Sequence, residues 1–226
     1  MATEFELRNA SGMTNDQLPA AISQTRSLYI SDEVSEWIKE GRVYQAGEGT
    51  LTTPATFAPA DLVRQSPEFM VRVPAGIVII PLMSMAVMEA TTAILQMLVS
   101  CCNNDPGVAS MTAVTPVNVN TRFSDVNSSC TAYATNAGNT GTAPTGVADL
   151  YREYHQADHD AITTTAPSWP PLIYNPRAGH GQECVIGNNS NVQAYLVYVL
   201  AGVASASTGF TIHTWAEFTY AEYYGA

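Results

Sequence analysis

Apolar and polar positions alternate along the end of the chain. Over residues 210–223, Phe210, Ile212, Thr214, Ala216 and Phe218 fall on one side of an extended strand. Thr211, His213, Trp215, Glu217 and Thr219 fall on the other, because successive side chains point to opposite faces. The spacing predicts a long closing strand, largely apolar on its first side. A domain that ends on a strand has its terminus tied into a sheet, which points to an all-β body.

Similar signals run upstream. Residues 69–73 predict a strand, and Pro74-Ala75-Gly76 predicts a type II-like turn, since glycine accepts positive φ. Residues 77–102 are apolar for long enough to raise the question of a membrane span. Pro81, Ser84, Glu89, Thr91, Thr92 and Gln96 interrupt that run, and a glutamate in mid-span is expensive in hydrocarbon. The stretch therefore reads as two strands, with Pro81 marking an edge, bend or bulge. Asn103-Asn104-Asp105-Pro106-Gly107 is a strong turn cluster after the second. Further strands are expected over 114–123, 130–134, 147–155, 183–186 and 191–204. About eight strands separated by turns is the pattern of a sandwich, barrel or jelly roll.

One helix is expected before the β pattern. Ser31 stands as its N-cap, Asp32 and Glu33 suit the positive end of the dipole, and Gly41 follows its last turn. Val34, Trp37 and Ile38 share one apolar face, so Trp37 is the candidate interface residue, packing on the body or on a neighbouring copy. The expected organisation is an N-terminal arm and short helix over residues 1–68 and a β domain over 69–226. Residues 47–67 and 136–146 are expected to be irregular, the latter a long loop of small residues.

Composition sharpens this picture. Of 226 residues, 46% are hydrophobic and only 13% are charged, against about 25% in an ordinary globular domain. A surface so poor in charge predicts association with other copies, because exposed charges normally keep domains apart. The net charge is −11 with nine basic residues, of which Lys39 is the one lysine. The arginines never cluster. Phosphate binding needs several cations along one backbone, so direct nucleic-acid binding is not expected, nor is attraction to anionic membranes. The first residues lack a basic and then apolar leader, so no signal peptide is expected.

Candidate chemistry is sparse. His155 and His159 would share a face at i, i+4 on a helix, with Asp158 or Asp160 close by, and could hold a divalent transition metal. On a strand the two imidazoles would lie about 13 Å apart, too far for one ion. Gly179-His180-Gly181 precedes Cys184, a pairing that could act as nucleophile and base only if the fold joined them. His213, on the closing strand, reads as a packed histidine. Cys101, Cys102, Cys130 and Cys184 have no metal-ligand spacing, and the adjacent pair must point to opposite strand faces. Free buried thiols are expected. No catalytic site and no cofactor are expected.

Two segments carry a resemblance. Val73-Pro-Ala-Gly-Ile-Val-Ile-Ile-Pro-Leu82, leading through Glu89 to Asn103-Asn-Asp-Pro-Gly107, resembles the opening hairpins of viral jelly-roll coat proteins. Residues 210–223, around Trp215-Ala-Glu-Phe218, are similar to the closing strand of such proteins. The nearest type is the single jelly-roll major capsid protein of tailless icosahedral bacteriophages. The resemblance implies an eight-stranded antiparallel jelly-roll sandwich, self-assembly into an icosahedral shell, localisation in the virion and no catalytic site. Its departure is the N-terminal segment: residues 1–30 hold only Arg8 and Arg26, where coat proteins that condense genomes directly often carry an arginine-rich arm. Other virion proteins or an internal membrane are the partners this implies. The competing expectations are a β-sandwich binding module, such as a trimeric viral spike or fibre or a carbohydrate-binding domain, and a metal-dependent enzyme using His155 and His159.

Overall fold

The computed structural model describes residues 32–50, 52–57, 62–89, 94–134, 141–156, 170–201 and 207–225. The chain divides into two compact units, Met1–Glu36 and Trp37–Ala226. The first is described only over residues 32–36, the opening of helix α1 (Glu33–Lys39). Asp32 Oδ2 accepts from the Ser35 amide at 3.3 Å, so Asp32 holds the capping place that the sequence suggests for Ser31, which lies outside the described residues.

The second unit is an all-β sandwich of two antiparallel sheets. Its strands are β1 (Val43–Glu48), β2 (Ala55–Phe57), β3 (Phe69–Val73), β4 (Ile77–Glu89), β5 (Ile94–Cys102) and β6 (Thr112–Val114). They continue as β7 (Val117–Asn118), β8 (Thr131–Ala134), β9 (Ala148–Gln156), β10 (Leu172–Tyr174), β11 (Gln193–Ala201) and β12 (Ser207–Thr219). Sheet I runs β10-β4-β12-β1-β7, with β2 also paired to β12, and sheet II runs β6-β8-β3-β11-β5-β9.

Several expectations hold at the level of single residues. Gly76 takes φ +81° and the Ile77 amide reaches the Pro74 carbonyl at 3.2 Å, which closes a type II turn. The apolar run after Gly76 forms β4 and then β5, two strands. Pro81 sits where the β4–β12 register slips, between Thr214 and Trp215; a bulge is where a sheet tolerates a residue without an N–H.

Other expectations are corrected. The sheets begin at Val43 rather than Phe69, because β1 lies between β12 and β7 in sheet I. The single strand expected over 114–123 is broken into β6 of sheet II and β7 of sheet I. Pro116 removes a ladder donor between them. At the end of β7 and just past it, asparagine side chains serve the backbone instead: Asn118 Nδ2 donates to the Gly41 carbonyl at 2.6 Å, and Asn120 Oδ1 accepts from the Arg122 amide at 3.0 Å, capping a 3-10 turn. Residues 183–186 form no strand; Ile186 alone bridges Ile79. They lie between Gly181 and Gly187, at φ +110° and +132°, conformations that do not extend a ladder. β10 is a strand that the Pro-rich composition conceals. β12 stops at Thr219 and Tyr220–Tyr224 is helix α2.

The closing strand also turns inward the side with fewer apolar residues. Thr211, His213, Trp215 and Glu217 are buried, whereas Phe210, Ile212, Thr214 and Phe218 are half-buried on the outer face of sheet I. Register is all-or-none, since a slip of one residue would exchange the faces. Trp215, with the largest apolar area, goes to the main core beside Tyr44, Ile79, Tyr174 and Tyr195. Each fully buried Val or Leu of this core contributes about 1.5–3 kcal/mol of transfer free energy.

Candidate functional site

The geometry that stands out is on the surface of sheet I. Directly paired residues share a face, so the register fixes its outer side. Val117, Gln45, Thr214 and Met83 form one row across β7, β1, β12 and β4; Gly47, Ile212, Met85 and Ile173 form the next, across β1, β12, β4 and β10. Phe210 opposes Val87, and Val43 and Ala216 lie alongside Ile80. None of these side chains is ionisable. At the β7 edge Val117 is 57% exposed.

An aromatic and arginine corner adjoins this face. The strand-to-helix junction is made by a capping box: the Thr219 hydroxyl accepts from the Glu222 amide at 3.2 Å, and Glu222 Oε2 accepts from the Thr219 amide at 2.8 Å. Gly225, at φ +69°, ends the turn with its amide on the Ala221 carbonyl. The short helix this creates folds Tyr223 back onto Phe218, ring centroids 5.7 Å apart, and sets Tyr224 against Tyr220 and Tyr223 at 4.6 and 4.8 Å. Trp37 meets Phe218 edge-on at 5.2 Å. The Arg42 guanidinium lies 5.2 Å from the Phe218 centroid and that of Arg177 lies 5.0 Å from Trp37, within cation–π range.

The charges here are paired locally. Arg42 Nε bonds Glu40 at 2.6 Å and its Nη2 reaches Glu222 at 3.1 Å. The bond from Arg42, with those from Thr219, holds the Glu222 carboxyl down at about 2. Half of the Tyr224 surface remains exposed. Tyr, Trp and Arg, held rigidly, are the residue types that anchor protein–protein contacts.

Trp37 is thus placed by a helix-to-body contact. The sequence singled it out from the helix pattern but missed Phe218, Arg42, Arg177 and the tyrosines; the Thr219-x-x-Glu222 signature was the available signal. Of the other candidates, His155 pairs with Leu95 through the backbone of β9, on a strand and not a helix. His159, Asp158 and Asp160 lie outside the described residues, as does much of the small-residue loop. Among the described residues no group of three His, Cys, Asp or Glu side chains could hold a metal ion, and no helix is long and apolar enough to cross a membrane.

The four thiols are free. Cys101 packs on the main core and Cys102 on the outer cluster of sheet II, the opposite facing that adjacency demands. Burial pushes the Cys184 thiol up to about 12 and that of Cys102 to about 11, so neither presents a thiolate at neutral pH. His180 is exposed in its turn. His213 is fully buried, stacked on Phe69 with centroids 3.8 Å apart, and desolvation lowers it to about 3.

No protein-family model matches this chain, and comparison with curated proteins finds no match.

Proposed function

We propose that this chain is a single jelly-roll capsid protein, of the kind that builds the shells of tailless icosahedral bacteriophages, and that its copies assemble through uncharged contacts. The observation that carries the reading is the nesting of the strand pairs. Setting aside β2 and the β6–β8 excursion, eight strands remain, and they pair first with last: β1 with β12, β3 with β11, β4 with β10, β5 with β9. Rolling that doubled ribbon brings β12 beside β4 and β11 beside β5. The outcome is two layers, β10-β4-β12-β1 and β9-β5-β11-β3, an order that supports the jelly-roll reading.

Lectins and cupins share that winding, so the shell reading needs surface support. It comes from the charge-free outer rows of sheet I, from the Trp37–Phe218–Tyr224 corner with its two arginines, and from a chain that is only 13% charged. Identical molecules carrying −11 meet with least repulsion on surfaces without ionised groups. With no basic cluster to neutralise a genome, other virion proteins or an internal membrane would line the inside.

The test is light scattering with negative-stain microscopy on the purified full chain. Closed particles or capsomers of several copies are expected. A stable trimer favours a spike or fibre module, and a protein that stays monomeric at high concentration refutes assembly.

A further inference from the structure

A β-sandwich interior is normally apolar, yet a line of polar side chains crosses this one. Tyr195 Oη lies 2.6 Å from Ser84 Oγ, and Ser84 Oγ lies 2.8 Å from His213 Nδ1. All three residues are buried. Beyond His213 the partners stop: His213 Nε2, Thr211 Oγ1 and Glu48 Oε2 are buried and have no hydrogen-bond partner among the described residues.

These three atoms belong to neighbours. β1 and β12 pair Glu48 with Thr211 and Ala46 with His213. β12 and β4 pair Thr211 with Ala86 and His213 with Ser84. Paired residues share a face, so the three polar residues sit together on the core side of sheet I, one pleat apart. Apart from Glu48, every cross-strand neighbour of Thr211 and His213 is small: Ala46, Ser84 and Ala86. Small side chains leave room beside the polar atoms that a valine or leucine would fill.

Counting protons selects the imidazole tautomer. If Nδ1–H donated to Ser84, the serine would donate to Tyr195, and the phenol proton would be stranded along with the Nε2 lone pair. If instead Tyr195 donates to Ser84 and Ser84 to Nδ1, one group is left over, Nε2–H, and the neighbouring positions on the same face carry a carboxyl and a hydroxyl that can accept. Buried water typically satisfies two to four such atoms in a polar niche.

We propose that ordered water is bound between the sheets beside His213, accepting from Nε2–H and bridging to Thr211 Oγ1 and Glu48 Oε2. A continuous polar chain then crosses the core from Tyr195 to Glu48. Neutral imidazole is the form the bridge needs, and desolvation keeps His213 neutral far below pH 7. The proposal stands on the interior of one subunit and is independent of assembly.

Thr211→Val in the full chain tests it, because the change keeps the shape and deletes the hydroxyl. A bridged site loses a water contact, and Tm falls by about 3 °C. A dry site would be relieved of an unsatisfied hydroxyl, so an unchanged or higher Tm overturns the proposal. A second readout needs no variant: 15N NMR of the His213 ring, in solution or in sedimented particles, is expected to find the proton on Nε2, and a proton on Nδ1 overturns it. In a high-resolution crystal structure, density within hydrogen-bond distance of all three atoms is expected; direct contacts among them in its place would refute bridging.

Discussion

The outer faces of the two sheets are treated oppositely. On sheet II, Met70, Leu98, Cys102, Ala194, Leu196 and Tyr198 form a second buried cluster, covered by Leu62, Val108, Met111 and Val147 from the chain's own loops. Bidentate ion pairs fix those loops. Arg64 grips Asp149 at 2.6 and 2.8 Å and also bonds Ser100, while the Tyr198 hydroxyl holds the Arg64 carbonyl. Arg72 grips Asp105 likewise. Among the described residues, sheet I shows no second core cluster on its outer rows; Val43 and Ala216 are buried there, whereas Ile212, Met85 and Phe210 are only half-buried. Two six-stranded sheets thus have outer faces put to different uses: sheet II makes an internal contact, and under the proposed assembly sheet I would meet other copies. The difference shows along the strands: β11 is buried on both sides, whereas β4 alternates buried and half-buried positions from Leu82 to Met88.

The contrast can be broken most severely in the covered face. Leu196→Ala removes a fully buried side chain and is expected to cost about 2–5 kcal/mol in urea unfolding, with assembly lost only as folding is lost. Ile212→Asp on sheet I is expected to do the reverse: particles disappear by light scattering while the unfolding midpoint of the dissociated protein moves little. If Ile212→Asp leaves assembly intact, the outer rows of sheet I are not the contact.

Loosening the covering loops is a smaller perturbation. Arg64→Ala is expected to cost about 1 kcal/mol, since the pair with Asp149 is partly solvated. Its effect on pH dependence is more diagnostic. Arginine hydrogen bonds depress the carboxyls of Asp149 and Asp105. Depressed acids contribute stability that is present above their ordinary pKa and lost as pH falls through the lowered value. Acid unfolding below pH 4 should therefore begin at higher pH in Arg64→Ala than in the wild type.

The smallest effect is expected at Glu48. Burial raises its carboxyl from 4.5 to about 7, so the stabilising neutral form is fully present below pH 4.5 and its contribution is lost as pH rises through 7. Thermal melts at pH 5 and pH 8 are expected to differ less in Glu48→Gln than in the wild type. Equal differences would place Glu48 in water.

Much of this was written in the chain. The turn at Gly76, the bulge at Pro81, the facing of Cys101 and Cys102 and strands β3, β4, β5, β8, β9, β11 and β12 follow from spacing and from what glycine and proline permit. β1, β2 and β10 were not legible, because strands of three to six residues gain their stability from the partner strand and not from their own pattern. The aromatic corner escaped for a related reason: Trp37 and Phe218 are distant in sequence, and only the β1–β12 pairing brings them near.

By itself, then, the sequence determined that the chain is all-β, that its thiols point where alternation sends them, and that only 13% of its residues carry charge. Tertiary structure alone decided which side of β12 faces inward. A strand has two candidate faces of fixed composition, and the choice falls to whichever set fills the space left by the opposing sheet. Here that space took Trp215 and His213, and left Phe210 and Ile212 on the outer face.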